Sequence, residues 1–331
     1  MQHWSFILHS ATDVQTVPIW LTADQDKLLT QYRQGRLPHG ILLVGHAGDG
    51  REVLTDKIIE ALFCTQLQAN QACGECKSCK LFATKHHPDY VRIEPEGKSQ
   101  TIKVDAIRSI VQKVTGTAQQ GGNKVVRIES AECMNLSAAN ALLKILEEPA
   151  ANTYIFLATH ELSRLLPTLR SRCRIQTLAR PTEAQAAAFL QQQGYQNLPE
   201  LALAITNGHP MLAAKLTEQD VQRWQETEAK LATEKQFMEL SRYISGQDMA
   251  ALIRQMMLWL DTAIRAQQQS SLSYTGISTT VIESLVKQDA SRLFALRDYL
   301  VNKLSAISRQ ANLNPQMMAE GIASQWLSIQ S

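Results

Sequence analysis

The spacing of apolar and polar residues changes character once along this chain. Up to about residue 180, short apolar runs alternate with stretches of helical period. Ile41 to Val44 read as a buried strand, and Val53 to Phe63 repeat apolar residues at helical spacing. The turn "HHPDY" leads into a strand "YVRIE". In "VDAIRSIVQKV" Ile107, Ile110, Val111 and Val114 share one helical face, with Asp105 placed to cap it. A "GGN" turn at 121–123 precedes the strand "KVVRIE". "NLSAANALLKILEEP", 135–149, is a helix with Leu142, Ile145 and Leu146 as its buried stripe, Ser137 as its cap and Pro149 as its stop. "YIFLAT" is a further strand, ending at Thr159. Strands alternating with helices predict an α/β domain built on a parallel sheet.

Beyond residue 180 the pattern is almost wholly helical. "PTEAQAAAFLQQQG" and "LPELALAITNGHPMLAAKL" form a compact helical segment. "MAALIRQMMLWLDTAIRAQ" and "SRLFALRDYLVNKLSAISRQ" are longer and two-faced, as in a helical bundle, and Met256, Met257, Leu258 and Trp259 read as core. "AQQQSSLSYTGIS" reads as an exposed loop. At 331 residues the chain exceeds one ordinary core, so two or three domains are expected.

The first strand leads into "ILLVGHAGDGREVL". Gly45 and Gly50 stand five apart, as in G-x-x-x-x-G-K-[ST], and Gly48 lies between them. A working loop then needs a Lys for the outer phosphates and a hydroxyl for Mg²⁺; Arg51 and Glu52 stand there instead. Arg is a wide planar fork rather than a compact ammonium, and a carboxylate at 52 repels phosphate. The second acidic motif of such a site is an apolar strand ending in Asp-Glu. Here the strand ends in Glu129 and Ser130, with Glu132 nearby. These residues are open to two readings, a degenerate phosphate loop or a Gly-rich turn of an ordinary α/β domain. An anion nest formed by Gly45 to Gly50 is compatible with either.

A net charge of +2 gives no basic stripe of the kind an autonomous nucleic-acid binder carries. No apolar run reaches membrane-spanning length. "MQHWSFILHS" has only a short apolar piece, Trp4 to Leu8, and no cationic leader, so a cytoplasmic location is expected. In that compartment clustered thiols bind metal more often than they form disulfides. Cys64, Cys73, Cys76 and Cys79 follow C-x8-C-x2-C-x2-C, which suits a closed tetrahedral structural zinc site, with Gly74 allowing the tight turn. An iron–sulfur site, a redox pair and unliganded thiols are the competitors. His86 and His87 lie close by but belong to the turn, and Cys133 and Cys173 stand apart. "LLPTLRSRCRIQTL", 165–178, gathers Arg170, Arg172 and Arg174, either as a solvated surface or as an arginine offered to a partner's nucleotide.

Taken in order, "ILLVGHAGDGRE", the Cys module, "NALLKILEEP", "FLAT" and "LRSRC" resemble the delta-prime family of bacterial DNA polymerase III clamp-loader subunits, of the AAA+ class. The likeness covers most of residues 18–220 and rests beyond them on length and helical pattern. It implies an α/β P-loop NTPase-like (AAA+) domain over 1–180 with a zinc module at about 64–79, a small helical lid over 181–219 and an all-α collar over 220–331. Part of the collar's apolar surface would then be an interface. The implied role is that of a non-hydrolysing subunit of the DNA polymerase III holoenzyme, without ATPase or polymerase activity of its own. Ser171, Arg172 and Cys173 match the motif that presents an arginine finger to a neighbour's ATP, with Arg170 and Arg174 as substitutes. Gly45, Gly48, Gly50 and Arg51 would be a non-functional loop not expected to hold ATP or ADP. The lid position that would carry a sensor Arg offers Gly208, His209 and Pro210. Implied partners are the ATPase motor subunits and the delta subunit in a hetero-pentamer, and through it the sliding clamp and primer-template DNA. The competing functions are an active motor subunit of the same loader and a self-contained nucleic-acid-binding protein that reads through its zinc module.

Overall fold

The computed structural model describes residues 16–95, 100–194, 199–268, 279–308 and 314–330. The segment "MQHWSFILHS" and positions 269–278 of the Ser-rich loop lie outside the described residues. The chain divides into two compact units, the first ending at Gln185 and the second beginning at Ala186.

The first unit is a five-stranded sheet of β1 (Gly40–Val44), β2 (Tyr90–Ile93), β3 (Lys124–Ile128), β4 (Thr153–Thr159) and β5 (Arg174–Thr177). Their order is β2-β3-β4-β1-β5 and every pairing is parallel. Helix α1 (Thr22–Arg33) precedes the first strand; parallel neighbours need crossover connections, which here run through α2 (Arg51–Phe63), α3 (Lys77–Ala83), α4 (Val104–Thr115), α5 (Leu136–Glu147) and α6 (Pro167–Arg172). Strand β1 is interior, between β4 and β5, and Ile41, Leu42 and Leu43 are wholly buried, which is why its sequence runs continuously apolar instead of alternating. On one face, Leu42, Val126, Ile128, Ile155 and Leu157 pack with Ile107, Ile110 and Val114 of α4 and Leu142, Ile145 and Leu146 of α5. Those helical residues are the ones that periodicity assigns to the core.

Two caps differ from expectation. Helix α4 begins two residues earlier, with Lys103 at the cap position, and Asp105 is an exposed first-turn residue paired with Arg108 at 3.4 Å. Helix α5 is capped by Asn135, whose side chain accepts the Ala138 N–H at 2.8 Å, so Ser137 lies inside the first turn. A cap must sit where the chain is still extended, as Asn135 does at φ −69°, ψ 164°, and several polar residues in a row hide that position.

The second unit contains α8 (Pro199–Ile205), α9 (Pro210–Ala213), α10 (Glu218–Thr233), α11 (Phe237–Ser245), α12 (Met249–Gln268), α13 (Thr279–Val286), α14 (Ala290–Ser308) and α15 (Pro315–Gln330); α7 (Glu183–Gln192) runs across the boundary. Its core gathers Leu252, Ile253, Met256, Trp259, Leu260 and Ala263 of α12 around Trp224 and Trp326. Met256 and Trp259 are fully buried, and Met257 and Leu258 pack at the margin. The indole N–H of Trp326 donates to the Leu231 carbonyl at 2.9 Å, tying α15 to α10. Ala266 to Gln268 are the last turn of α12, so the helix extends further than composition suggests. Among the described residues, no helix is long and apolar enough to cross a membrane.

Candidate functional site

In a parallel sheet, ligands meet the carboxyl ends of the strands, where chain connections diverge. Gly45 after β1, Glu129 after β3 and Thr159 at the end of β4 all lie on that edge. The Gly45 N–H donates to the Thr159 carbonyl at 3.0 Å, which holds the start of the loop on the sheet. The loop then closes as a short 3₁₀ turn over Ala47–Asp49. His46 Nδ1 accepts the Gly48 N–H at 3.1 Å, the His46 carbonyl accepts the Asp49 N–H at 3.1 Å, and the Ala47 carbonyl accepts the Gly50 N–H at 3.1 Å. Three successive donors that would line an anion nest are therefore already bonded within the loop. Gly50 is required twice over: its φ is +93°, and a Cβ there would lie 2.9 Å from Cγ of Pro18.

Arg51 turns inward. Its side chain is buried, Nη1 donates to the Gly45 carbonyl at 2.7 Å, and Nη2 reaches Oε2 of Glu129 at 3.3 Å. Glu129 also pairs with Arg127 and, at 3.8 Å, with Arg92, while Arg127 pairs with Asp56 of α2. Burial by itself would lower the Arg127 pKa; the charges of Glu129, Asp56 and Tyr90 outweigh it and the net shift is upward, with a smaller push from Glu52. The edge of the sheet is thus filled by an internal ionic network. Glu132 belongs to a different contact, its buried carboxylate meeting Nδ1 of His160 at 2.6 Å, with the His46 ring edge-on to His160 at 6.0 Å. Arg92, Arg127 and Asp56 are absent from the sequence reading, because nothing local marks residues that meet across more than thirty positions.

The four cysteines do come together. Cys64 ends α2, Cys76 precedes α3 and Cys79 lies within it, and the four sulfurs are all within 4.8 Å of one another. Tetrahedral zinc thiolate bonds of about 2.3 Å place sulfurs about 3.8 Å apart, so the group fits such an ion. Gly74 takes φ +72°, the left-handed turn that the short spacing needs. Backbone N–H groups of Gln66 and Cys73 point at Cys64 Sγ, at 3.4 and 3.2 Å, and that of Cys76 at Cys73 Sγ, at 3.3 Å. Such N–H···S contacts favour thiolates. Without a cation the sulfurs cannot all ionise: burial pushes Cys64 and Cys79 up, whereas at Cys76 hydrogen bonds from Cys79 and Thr65 overcome burial and bring the thiol down to about 6. A bound cation removes that conflict. His87 is a buried core ring stacked on Phe63 at 3.8 Å, His86 is exposed, and neither joins the group; nor do Cys133 and Cys173.

The arginines lie at the end of α6, which starts on Pro167 and is anchored by buried Leu169 and Cys173. Burial pushes the Cys173 thiol up to about 11, so it stays neutral in the core. Ser171, Arg172 and Arg174 are exposed, and Arg170 is half-buried. Ser171 Oγ donates to the Thr168 carbonyl at 3.0 Å. Gly40 lets this turn approach the sheet: a Cβ there would lie 3.3 Å from the Arg172 carbonyl and 3.6 Å from Cys173 Sγ.

The model of the family described as "DNA polymerase III, delta subunit" matches residues 22–182. The chain is 37% identical over 303 residues to DNA polymerase III subunit delta′ of Pseudomonas aeruginosa, covering 88% of this chain and 92% of that protein. With the Escherichia coli subunit delta′ the identity is 41% over 211 residues, 63% of each chain. A DNA polymerase III gamma subunit-related protein of Thermotoga maritima superposes with a TM-score of 0.49 at 20% identity, over 92% of this chain and 100% of that one.

Proposed function

This chain belongs to the delta-prime family of DNA polymerase III subunits, and from that premise we propose that it is a non-hydrolysing clamp-loader subunit which completes a neighbour's ATP site with Arg172. The observation that carries the reading is the inward turn of Arg51 onto Gly45 and Glu129, which fills the strand edge where a motor subunit would hold its own phosphates. Arg172, by contrast, stands exposed at the end of a helix rooted in the core, the placement that a residue acting on another subunit needs. A guanidinium supplied in trans to a transferring phosphoryl group is worth about 10³ to 10⁵ in rate.

In this proposal Ser171 and Cys173 set the turn that presents Arg172. Cys64, Cys73, Cys76 and Cys79 hold a structural zinc ion that fixes the segment between α2 and α3. Residues 181–219 serve as the lid and 220–331 as the collar. The partners are the ATPase motor subunits and the delta subunit in a hetero-pentamer that places a sliding clamp on primer-template DNA.

The test is ATP turnover by a loader reconstituted with its cognate motor subunits, clamp and primed DNA. Arg172→Ala is expected to lower turnover at least tenfold with assembly intact, and the isolated chain to hydrolyse nothing. Unchanged turnover in the assembled variant would sink the finger role. Turnover by the isolated chain would point instead to an active motor subunit.

A further inference from the structure

Arg172 is held by both arms of its guanidinium. Nη2 meets Oε1 of Glu147 at 2.5 Å, and Nη1 donates to the Thr168 carbonyl of its own helix at 3.1 Å. Glu147 is the last residue of α5. The buried stripe Leu142, Ile145 and Leu146 fixes that helix in the same core that takes up Leu169 and Cys173 from α6. Leu146 and the Arg172 carbonyl both close on Gly40, at 2.9 and 3.3 Å from where a Cβ would stand. The distance between carboxylate and guanidinium is therefore set by core packing rather than by flexible loops. Both helices also end here, and the partial negative charge of their last carbonyls favours the guanidinium at this spot.

We propose that Glu147 is a positioning residue that parks Arg172, so that the arginine must exchange this carboxylate for a phosphate oxygen when a neighbouring ATP site forms. The proposal rests on the reading of Arg172 as the trans-acting finger. A carboxylate that stayed in contact would oppose the approach of a polyphosphate, because like charges repel at short range. The pair suits exchange: the side chains are 36% and 46% exposed, and exposed pairs are weak and screened by solvent. Releasing a hold of that strength raises the population of the free finger by about two- to fivefold. Because the finger acts on the transition state, the change belongs in kcat and not in the KM for ATP.

The experiment compares wild type, Glu147→Gln, Arg172→Ala and the double variant in the reconstituted loader, without clamp or DNA, after gel filtration has confirmed equal assembly. Glu147→Gln is expected to raise kcat by about two- to fivefold at unchanged KM, and to have no effect in the Arg172→Ala background. Loss of turnover in Arg172→Ala together with unchanged or reduced kcat in Glu147→Gln overturns the parking role and leaves the finger standing. A rise that persists in the double variant also overturns it, since Glu147 would then act without Arg172. Unchanged turnover in Arg172→Ala removes the finger reading and this proposal with it.

Discussion

At Glu129 one buried carboxylate faces the guanidinium groups of Arg51, Arg92 and Arg127. Removing it leaves two buried cations sharing little but Asp56, and breaking a buried pair from one side costs about 3–5 kcal/mol. Glu129→Leu is expected to lower urea-unfolding stability by that amount. Arg51→Met is milder, about 1–3 kcal/mol, because Arg127 still pairs with the carboxylate. The double variant should lose less than the two single losses added, since the groups form one network. His87 makes a second prediction at this scale. Burial lowers its pKa, and Asp89 only partly opposes the shift. The unfolded chain therefore takes up a proton as pH falls below about 6.5, while the folded one resists. Stability contributed by neutral His87 is fully present above that pH and is lost on acidification. His87→Phe, which keeps the stacked ring, should flatten the fall in denaturation midpoint between about pH 7 and 5. An equally steep fall in the variant would assign the pH dependence to other groups.

Among the elements, the segment from Cys64 to Ala83 depends most on something other than its own core. Helix α3 has seven residues, too few to be stable alone, and buries only Ser78 and Cys79. Phe82 packs at 5.8 Å from Phe63 and 5.2 Å from Tyr90, which joins the segment to the sheet at one end. The expected outcome is one equivalent of zinc per chain by atomic emission, lost in Cys79→Ser. Chelation should make 64–83 cleavable by protease while the sheet stays protected. Full metal content in Cys79→Ser would contradict this ligand set. The gathering of the four cysteines was legible in the sequence because they are close along the chain and their spacing suits one cluster. Strands such as β1 and helices such as α5 were legible for the same reason, their periods being properties of neighbouring residues. The contacts of Arg51 with Glu129 and of Glu147 with Arg172 were not, for they join residues 78 and 25 positions apart through packing that no local pattern encodes.

On the scale of the whole molecule, each unit encloses its own core. The second is built around Trp224, Trp259 and Trp326, with ring centroids 5.9 and 6.2 Å apart in successive pairs. A fragment of residues 186–331 is therefore expected to be helical by circular dichroism and to unfold cooperatively in urea. A featureless melt would show that this core needs the rest of the chain. The closed glycine loop has a consequence for the history open to such a protein. Arg51→Lys would bring the motif closer to a working one, yet an ammonium is not a two-armed fork and cannot reproduce the span from Gly45 to Glu129. Gly48, Asp49 and Gly50 would still donate to their own loop. A phosphate grip here thus requires changes at several separate places, the first of which weakens the fold. If the proposed non-hydrolysing role holds, this loop works as a ratchet: the way to an independent nucleotide site begins downhill in stability, because its first step breaks the Arg51 contacts.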